Sequence, residues 1–340
     1  TKSICGMEDI MKLVENEFIK FMEKFDENPF RIILEDGEHL IGDGEPAFTV
    51  KINKIPKMMD MLISTSITLG EAYMNGDIEI EGDLYTALNM FLGQMGKFST
   101  DTKKLKNIIF TSKSKANQKK EVSSHYDIGN DFYKMWLDET MSYSCGYFKN
   151  ENDTLYQAQC NKVDRILEKL NLSDGMTLCD IGCGWGFLLI EAAKKYNIKG
   201  VGITLSKEQK AKFEQRIKEE NLSDRLEVKL LDYRDLPKQH MEFDRVVSVG
   251  MIEHVGRGNY EEFMQCVKSV LKQGGVFVLH FISALKEYPG DAWVKKYIFP
   301  GGVIPSLREI MQIAGELGIS QVQVSRMEKK ILKVLRERID

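Results

Sequence analysis

Four residues near the middle of the chain have the types and spacing of a site for a nucleotide-like ligand. Asp180 belongs to an apolar stretch at residues 177–181, and Gly182, Gly184 and Gly186 follow it at alternate positions. Glycine lets the backbone turn sharply and approach a ligand where a Cβ would collide. The carboxylate of Asp180 can accept hydrogen bonds from a ligand ammonium or orient the glycine amides. The pattern therefore predicts a ligand-binding loop between a strand and a helix.

Polar residues after the next two predicted strands can complete such a site. Thr204 and Gln209 offer the hydroxyl and the amide that a ribose diol needs. Asp232, Tyr233 and Arg234 come after the third strand, where they can bracket an adenine. The ligand of a parallel sheet lies beyond the carboxyl ends of its strands, so we expect these residues to meet there.

The spacing of the glycines separates two kinds of nucleotide site. Trp185 stands alone between Gly184 and Gly186, whereas the dehydrogenase fingerprint places two residues at that point. The acidic-x-Gly-x-Gly-x-Gly form resembles motif I of the S-adenosylmethionine methyltransferases. This resemblance favours S-adenosyl-L-methionine as the ligand. A nicotinamide dinucleotide and a purely structural glycine turn are the alternatives.

The second half of the chain alternates apolar, β-branched runs with segments of helical spacing. This alternation predicts an α/β fold with a largely parallel, doubly wound sheet. The predicted strands are 177–181, 200–203, 226–231, 245–249 and 276–282, and the predicted helices are 187–196, 207–221 and 260–271.

The first 98 residues predict a smaller α+β domain. Apolar residues at helical spacing indicate a helix over 10–25. Short runs at 31–34, 40–41 and 48–52, separated by two Asp-Gly pairs, predict a small meander. Residues 55–92 look mostly helical, with breaks near Gly76 and Gly82.

Composition excludes several classes of protein. The 340 residues are 43% hydrophobic and 29% charged, with a net charge of −4, which argues against global disorder and against collagen or a repeat fibre. No apolar run reaches the ~20 residues that a membrane span needs, and no signal-peptide pattern opens the sequence. Six scattered cysteines read as reduced thiols of a cytosolic protein. The mild acidity disfavours non-specific nucleic-acid binding, and no metal site is predicted.

Residues 99–122 are rich in lysine and separate the two halves. They are interpreted either as a solvated linker or as a basic strap that lies on anionic lipid headgroups. The predicted organisation is therefore an amino-terminal domain at 1–98, a basic linker at 99–122, a methyltransferase domain at 123–318 and an atypical helical tail at 319–340.

Five ordered motifs resemble the cyclopropane-fatty-acyl-phospholipid synthase family over roughly residues 31–318. The motifs are 125–133, 141–147, 202–209, 251–256 and 297–302. The resemblance implies a class I S-adenosylmethionine methyltransferase fold, Rossmann-like, with a smaller amino-terminal domain. It also implies transfer of a methylene group to the cis double bond of unsaturated phospholipid acyl chains. The enzyme would be cytoplasmic, bound peripherally to the membrane, and a homodimer at the level of the family.

The resemblance also assigns roles to individual residues. An alkene is a poor nucleophile, so the methyl group must be held in line with it in a dry pocket. A bicarbonate ion would then remove the proton that allows ring closure. Its ligands here would be Cys145, Glu253, His280 and the backbone of Ile282. Tyr143 and Ser144 would hold the methionine end of the donor, and three aromatic residues could face the cation: Trp136, Tyr147 and Phe148.

Each of these residues also has a structural interpretation. Cys145 could be a small buried residue, Glu253 an exposed helix start and His280 a satisfied core histidine. Trp136 could belong to the core, and His125 could cap or staple the linker helix.

The tail after Gly318 departs from the family pattern, which would supply a further tyrosine to the bicarbonate site. Residues 319–340 resemble instead the final helix-turn-helix of bacterial sigma factors. The tail is interpreted as a helix that packs on the domain, as a junction without DNA function, or as a DNA-reading module. The loss predicts, as an alternative to an active enzyme, a catalytically impaired remnant that binds donor and lipid.

Overall fold

The structure is a computed structural model that describes residues 2–35, 37–94, 97, 129–285 and 290–318, with the side chains of residues 2–11 excepted. The chain divides into two compact units, Thr1–Phe110 with Asp291–Ile298, and Thr111–Gly290 with Phe299–Asp340. The predicted domain boundaries near 98 and 122, the basic linker, His125 and the 319–340 tail all lie outside the described residues.

The first unit surrounds a four-stranded sheet with the order β2-β1-β3-β4. Its elements are α1 (Lys2–Met22), β1 (Phe30–Leu34), β2 (Gly37–Ile41), β3 (Phe48–Ile52), α2 (Met58–Ile63), α3 (Thr65–Met74), β4 (Ile78–Gly82) and α4 (Leu84–Gly93). Alternate residues of β1 and β3 are buried, as expected for strands with one face on a core. Phe30 and Phe48 stack within that core at a ring separation of 5.3 Å.

Two predictions for the first unit are corrected by its sheet. The meander is wrong, because β3 returns to pair with β1 in parallel and only β1 and β2 form an adjacent antiparallel hairpin. The mostly helical interpretation of 55–92 is wrong at Ile78–Gly82, which forms β4 and pairs with β3 along its whole length. The predicted strand 48–52 is confirmed, and the predicted first helix is confirmed over part of its range, since α1 ends at Met22.

A short helix from late in the sequence completes the first unit. This helix, α11 (Ala292–Tyr297), packs on α3. The Trp293 ring lies against Gly70, and the backbone N–H of Trp293 donates to Ser66 Oγ at 3.2 Å. Tyr297 donates to the Glu71 carboxylate at 2.7 Å, and Lys296 forms an ion pair with the same group. The absence of a side chain at Gly70 leaves the space that the indole ring occupies.

The second unit contains a five-stranded sheet with the order β7-β6-β5-β8-β9, in which all neighbouring strands are parallel. Its strands are β5 (Thr177–Ile181), β6 (Lys199–Thr204), β7 (Leu226–Leu230), β8 (Phe243–Val249) and β9 (Leu271–His280). Its helices include α5 (Asn130–Lys134), α6 (Leu155–Leu170), α7 (Phe187–Lys195), α8 (Lys207–Glu219), α9 (Ile252–Val255), α10 (Tyr260–Val270) and α12 (Leu307–Glu316). The predicted doubly wound sheet is confirmed, with the reversal of strand order between β5 and β8.

Local signals explain where the helices of the second unit begin. Thr154 and Gln157 form a capping box that starts α6, and Ser306 and Glu309 form one that starts α12. The buried face of α6 consists mainly of aliphatic side chains but includes Gln159. That polar residue is only 3% exposed, so it needs hydrogen-bond partners inside the protein.

Asp244 joins the starts of three neighbouring strands. Its Oδ2 accepts from both the N–H and the hydroxyl of Thr177 at 2.8 Å, and Lys272 donates to both of its oxygens at 3.0 Å. The Thr177 N–H bond, together with the Lys272 and Thr177 side chains, lowers the pKa of Asp244 to about 2, although partial burial opposes the shift. This carboxylate therefore ties β5 to β8 and β9 at the edge opposite the strand ends that carry ligand residues.

Within the described ranges, no helix combines the length and the apolar character that a membrane crossing requires. The five described cysteines are free thiols.

Candidate functional site

A pocket opens at the carboxyl ends of β5, β6 and β8, where strand order reverses. Nine predicted donor-binding residues contribute to its lining: Tyr143, Ser144, Asp180, Gly182, Gly184, Gly186, Thr204, Gln209 and Tyr233. The pocket also includes Met141, a residue in the left-handed backbone region at φ 58°. Such a conformation is uncommon for a non-glycine residue and is concentrated at functional sites.

Two glycines of the loop between β5 and α7 are required for different reasons. Gly184 has φ +54°, and a Cβ added there would project into open space, with no heavy atom of the described chain within 4 Å. Gly186 has φ +84°, and its Cβ would lie 2.1 Å from the Phe213 ring. Gly184 thus keeps space free on the pocket side, whereas Gly186 lets α7 start close to α8.

Asp180 is a buried acid whose carboxylate is not fully hydrogen-bonded by the described residues. It is 3% exposed, and its Oδ1 finds no hydrogen-bond partner among the described residues. Burial raises the pKa of Asp180 to about 7. A cationic ligand group would favour the ionised form and satisfy the free oxygen, so the site suits an ammonium.

Thr204 and Gln209 are brought together at the end of β6. The Thr204 hydroxyl donates to Gln209 Oε1 at 2.7 Å, and both side chains are buried. Ser206 caps α8 by accepting from the Gln209 N–H at 3.2 Å, which fixes the first turn. Among the described residues the Gln209 side-chain N–H groups donate to no partner, so they can meet a ribose hydroxyl.

Asp232 occupies a different position from its neighbours Tyr233 and Arg234. The Arg234 guanidinium donates to both Asp232 oxygens, at 2.8 and 2.7 Å, and the Arg234 N–H donates to Oδ1 at 3.0 Å. Tyr233 and Arg234 contribute to the pocket lining, and Asp232 stands behind them as the cap of a 3₁₀ turn. Asp232 therefore holds Arg234 in place, and its contact with the cofactor stays a prediction.

Glu253 and His280 carry buried polar atoms beside the pocket. Glu253 Oε1 accepts from the Ile282 N–H at 2.7 Å, while Glu253 Oε2 and His280 Nδ1 have no hydrogen-bond partner within the described parts of the chain. Burial raises the pKa of Glu253, and burial together with the charges of Lys162 and Lys169 lowers the pKa of His280. His280 is the last residue of β9, and the Gly250 N–H donates to its carbonyl at 2.9 Å.

The remaining predicted residues lie at the surface of the second unit. Cys145 is exposed, so the interpretation of this residue as a small buried side chain is wrong. Trp136 is 44% exposed, so the core interpretation is wrong there too; its ring lies 4.9 Å from that of Tyr143. Tyr147 and Phe148 are exposed, and the Tyr147 ring faces the Arg165 guanidinium at 4.6 Å.

Sequence reasoning missed Lys162, which also contributes to the pocket lining. It is 4% exposed, and its ammonium donates to Ser144 Oγ at 2.6 Å. Burial lowers the pKa of Lys162 to about 8. The available signal was a lysine in register with the apolar face of α6, three positions after another buried polar residue, Gln159.

Comparison with known proteins places the chain in a family. A family model described as mycolic acid cyclopropane synthetase matches residues 113–339, more than half of the chain, and a domain of unknown function matches 18–103. The match to the synthetase family extends to residue 339, whereas the motifs quoted for the resemblance cover the chain only to about residue 318. The structure of the tail lies outside the described residues, so the helix-turn-helix interpretation stays a prediction.

Individual relatives agree with the family match. A "probable fatty acid methyltransferase" of Pseudomonas putida is 37% identical over 90% of this chain and 79% of its own length. The cyclopropane-fatty-acyl-phospholipid synthase of Escherichia coli K12 is 38% identical over 84% of this chain and 75% of its own.

The solved structure of mycolic acid cyclopropane synthase CmaA1, complexed with SAH and CTAB, matches with a TM-score of 0.54 and 34% identity, covering 58% of this chain and 73% of that one. The second unit has the α/β fold of class I S-adenosylmethionine methyltransferases, as predicted. The chain, with this pocket at its strand ends, belongs to the mycolic acid cyclopropane synthetase family.

Proposed function

We propose that this protein transfers a methylene group from S-adenosyl-L-methionine to the cis double bond of unsaturated phospholipid acyl chains, forming cyclopropane fatty acids. The observation that carries the proposal is a glycine-lined donor pocket beside a buried acid and imidazole with free polar atoms. The names of the relatives from Pseudomonas putida and Escherichia coli point to the same lipid chemistry.

The donor would lie along the carboxyl ends of β5 and β6. Gly184 leaves room for it, Asp180 offers a free carboxylate oxygen to its ammonium, and Gln209 offers its amide to the ribose. Tyr143 and Ser144 line the opposite wall and would hold the methionine end. Burial of these groups excludes water, which strengthens each electrostatic contact with the donor.

The residues beside the pocket fit a small oxyanion such as bicarbonate. Glu253 Oε2 and His280 Nδ1 are buried polar atoms that lack partners in the described structure, and a buried polar atom needs a hydrogen bond. When bound, the donor supplies the methyl group and bicarbonate accepts the proton that must leave for the ring to close. Glu253 would be fixed for this task by the Ile282 N–H. The role of Cys145 at the bicarbonate rests on the family resemblance alone.

Exposed apolar side chains near the pocket support a lipid substrate. Phe132, Met135 and Trp136 of the second unit are all exposed, with Met135 at 81%, and the Trp136 ring contacts both Phe132 and the pocket residue Tyr143. Single exposed apolar residues are ordinary, but several in one region indicate a surface for another molecule. Peripheral binding to the cytoplasmic face of the membrane is part of the proposal, and homodimerisation stays a prediction.

The proposal is tested with vesicles of unsaturated phospholipid, the full chain and the donor. We expect fatty acids that have gained one CH₂, detected by mass spectrometry, and release of adenosylhomocysteine. Vesicles of saturated phospholipid serve as the control and should yield neither product. Donor binding without any lipid product, at any enzyme concentration, would contradict the proposal and favour the impaired remnant.

A further inference from the structure

Two buried polar residues of α6 hold the loop that forms one wall of the donor pocket. The Gln159 amide donates to the carbonyl oxygens of Ser144 at 2.8 Å and Ser142 at 3.2 Å. The Lys162 ammonium donates to Ser144 Oγ and, at 2.5 Å, to Gln159 Oε1. The Tyr147 N–H donates to the carbonyl of Ala158 at 2.9 Å, so the loop is attached to α6 at several points.

The hydrogen bond from Lys162 determines whether the Ser144 hydroxyl acts as a donor or as an acceptor toward a ligand. An ammonium has only donor hydrogens, so Ser144 Oγ must be the acceptor of this bond. The proton of the hydroxyl is then available to an acceptor elsewhere, and the adjacent positive charge makes it a stronger donor. Both residues line the pocket, so an acceptor inside the pocket can meet this proton.

The charge of Lys162 lacks an ion pair within the part of the chain that the structure describes. Across the described residues, no carboxylate forms a salt bridge with its Nζ. A buried cation without a counter-ion is costly, and a ligand anion would relieve that cost. Asp180, at the end of β5, lines the same pocket with a free carboxylate oxygen. The pocket thus offers one buried acid and one buried base to a ligand that carries both charges.

We propose that Lys162 is a positioning residue that, through the Ser144 hydroxyl and its own charge, holds the carboxylate at the methionine end of the donor. This inference rests on the proposed function, because it assumes that the pocket binds S-adenosylmethionine. Asp180 would take the ammonium at the same end of the ligand, so the two charges of the amino-acid group would each meet an opposite charge.

The test measures binding of adenosylhomocysteine to the full chain by calorimetry, without lipid. Lys162→Met should weaken binding by about ten- to a hundredfold, the range expected for hydrogen bonds to charged groups. Lys162→Arg keeps the charge and should restore most of the affinity. Lys218→Met, at an exposed position of α8, is the matched control and should bind like wild type.

A second ligand separates a role at the carboxylate from a general effect on the pocket. Methylthioadenosine lacks the amino-acid group, so its affinity should be the same for wild type and Lys162→Met. Ser144→Ala should weaken adenosylhomocysteine binding. Adding Lys162→Met to the Ser144→Ala variant should reduce the affinity much less than Lys162→Met does in the wild type. If the affinity losses of the two single variants simply add in the double variant, Lys162 does not act through Ser144.

The pH dependence gives a readout in the unmodified protein. The titratable groups around Lys162 are Asp138 and Cys145 from the preceding loop, His280 at the end of β9 and Lys169 on α6, with Asp180 across the pocket. Burial lowers the pKa of Lys162 to about 8, and its charge is lost as pH rises through that value. Affinity for adenosylhomocysteine should fall roughly tenfold from about pH 7 to about pH 9. The Arg variant should show much less of this fall.

Failure of the inference and failure of the proposed function give different results. If wild type binds adenosylhomocysteine and Lys162→Met binds it equally well with an unchanged pH profile, Lys162 has no role at the carboxylate. If wild type binds no adenosylhomocysteine at all, the donor pocket itself is refuted. Equal losses for both ligands in a folded Lys162→Met protein would also overturn the inference, since they would show collapse of the pocket.

Discussion

Gly184 and Gly186 share a left-handed backbone, yet the surroundings of an added methyl group differ between them. At Gly186 it would collide with Phe213, and at Gly184 it would enter open space in the pocket. The glycine spacing alone predicted the loop, because it reflects local backbone geometry. It did not predict Lys162, because a lysine in a helix is ordinarily solvated and its burial is decided by the distant loop that covers it.

Gly184→Val should abolish donor binding, because the side chain would occupy ligand space. The matched control is Gly175→Val: Gly175 has φ +78° and an equally open Cβ position, but it lies in an exposed turn before β5. Both variants carry similar backbone strain, so their stabilities should fall alike. Calorimetry with adenosylhomocysteine should show binding only for Gly175→Val, and binding to both would contradict the assigned pocket.

Glu253→Gln should spare donor binding and slow product formation by about 10²- to 10⁴-fold, the usual contribution of a group that takes part in proton transfer. The amide oxygen can still accept from the Ile282 N–H. Because burial raises the pKa of Glu253, the neutral amide should not reduce stability at neutral pH. The rate of product formation on unsaturated phospholipid vesicles is measured, and Glu261→Gln, on the exposed face of α10, is the control. Unchanged turnover would show that Glu253 takes no part in holding the bicarbonate that removes the proton.

At the scale of elements, the second unit was more predictable than the first. The strand at Thr177–Ile181 was predicted at its observed bounds, because a parallel strand buried on both faces is a short continuous apolar run. The alternation of isoleucine with glutamate in β4 is a strand signal, but it covers only five residues between helical segments, so the helical interpretation of the surrounding residues prevailed over it. The pairing of β1 with β3 could not be predicted, since both strands suit either neighbour and the choice depends on the return of the chain after β2.

Asp244→Asn should weaken the attachment of β5 to β8 and β9. Bonds from Thr177 and Lys272 hold the pKa of Asp244 at about 2, below that of an unfolded aspartate. The carboxylate therefore stabilises the fold above about pH 4, and this contribution is lost as pH falls toward 2. We expect a loss of about 1 to 2 kcal/mol at neutral pH, after allowance for partial exposure.

Urea unfolding of wild type and Asp244→Asn, at about pH 7 and about pH 3, measures how much unfolding free energy the substitution removes. The difference between the two proteins should shrink at the lower pH. Glu227→Gln, an exposed acid on β7, should show little change at either pH. A difference that is constant with pH would mean that the charge of Asp244 contributes nothing.

At the scale of the whole molecule, the course of the chain departs from the order of its sequence. Residues 291–298 lie after β9 yet belong to the first unit, where α11 packs on α3. The Trp293 N–H and Ser66 are 227 positions apart. A six-residue helix so far from its partner carries no local signal of where it packs, so the predicted division into consecutive domains could not include it.

Gly70→Ala should destabilise the first unit, because the new Cβ would lie 2.4 Å from Trp293 Cδ1. Overpacking of this kind costs about 1 to 3 kcal/mol. The same change in a Trp293→Ala background should cost much less, since the ring that it strikes is gone. Unfolding of the four proteins followed by circular dichroism gives the coupling. Additive effects would show that Gly70 and Trp293 do not constrain one another.

The placement of α11 bears on how hybrids of this protein should be built. A swap of the amino-terminal half for that of a relative, with the splice near residue 110, would leave the native α11 facing a foreign α3. The incoming segment would need its own counterpart of residues 291–298, transplanted as a second insert. A hybrid made with both inserts should fold where the one made with a single splice does not.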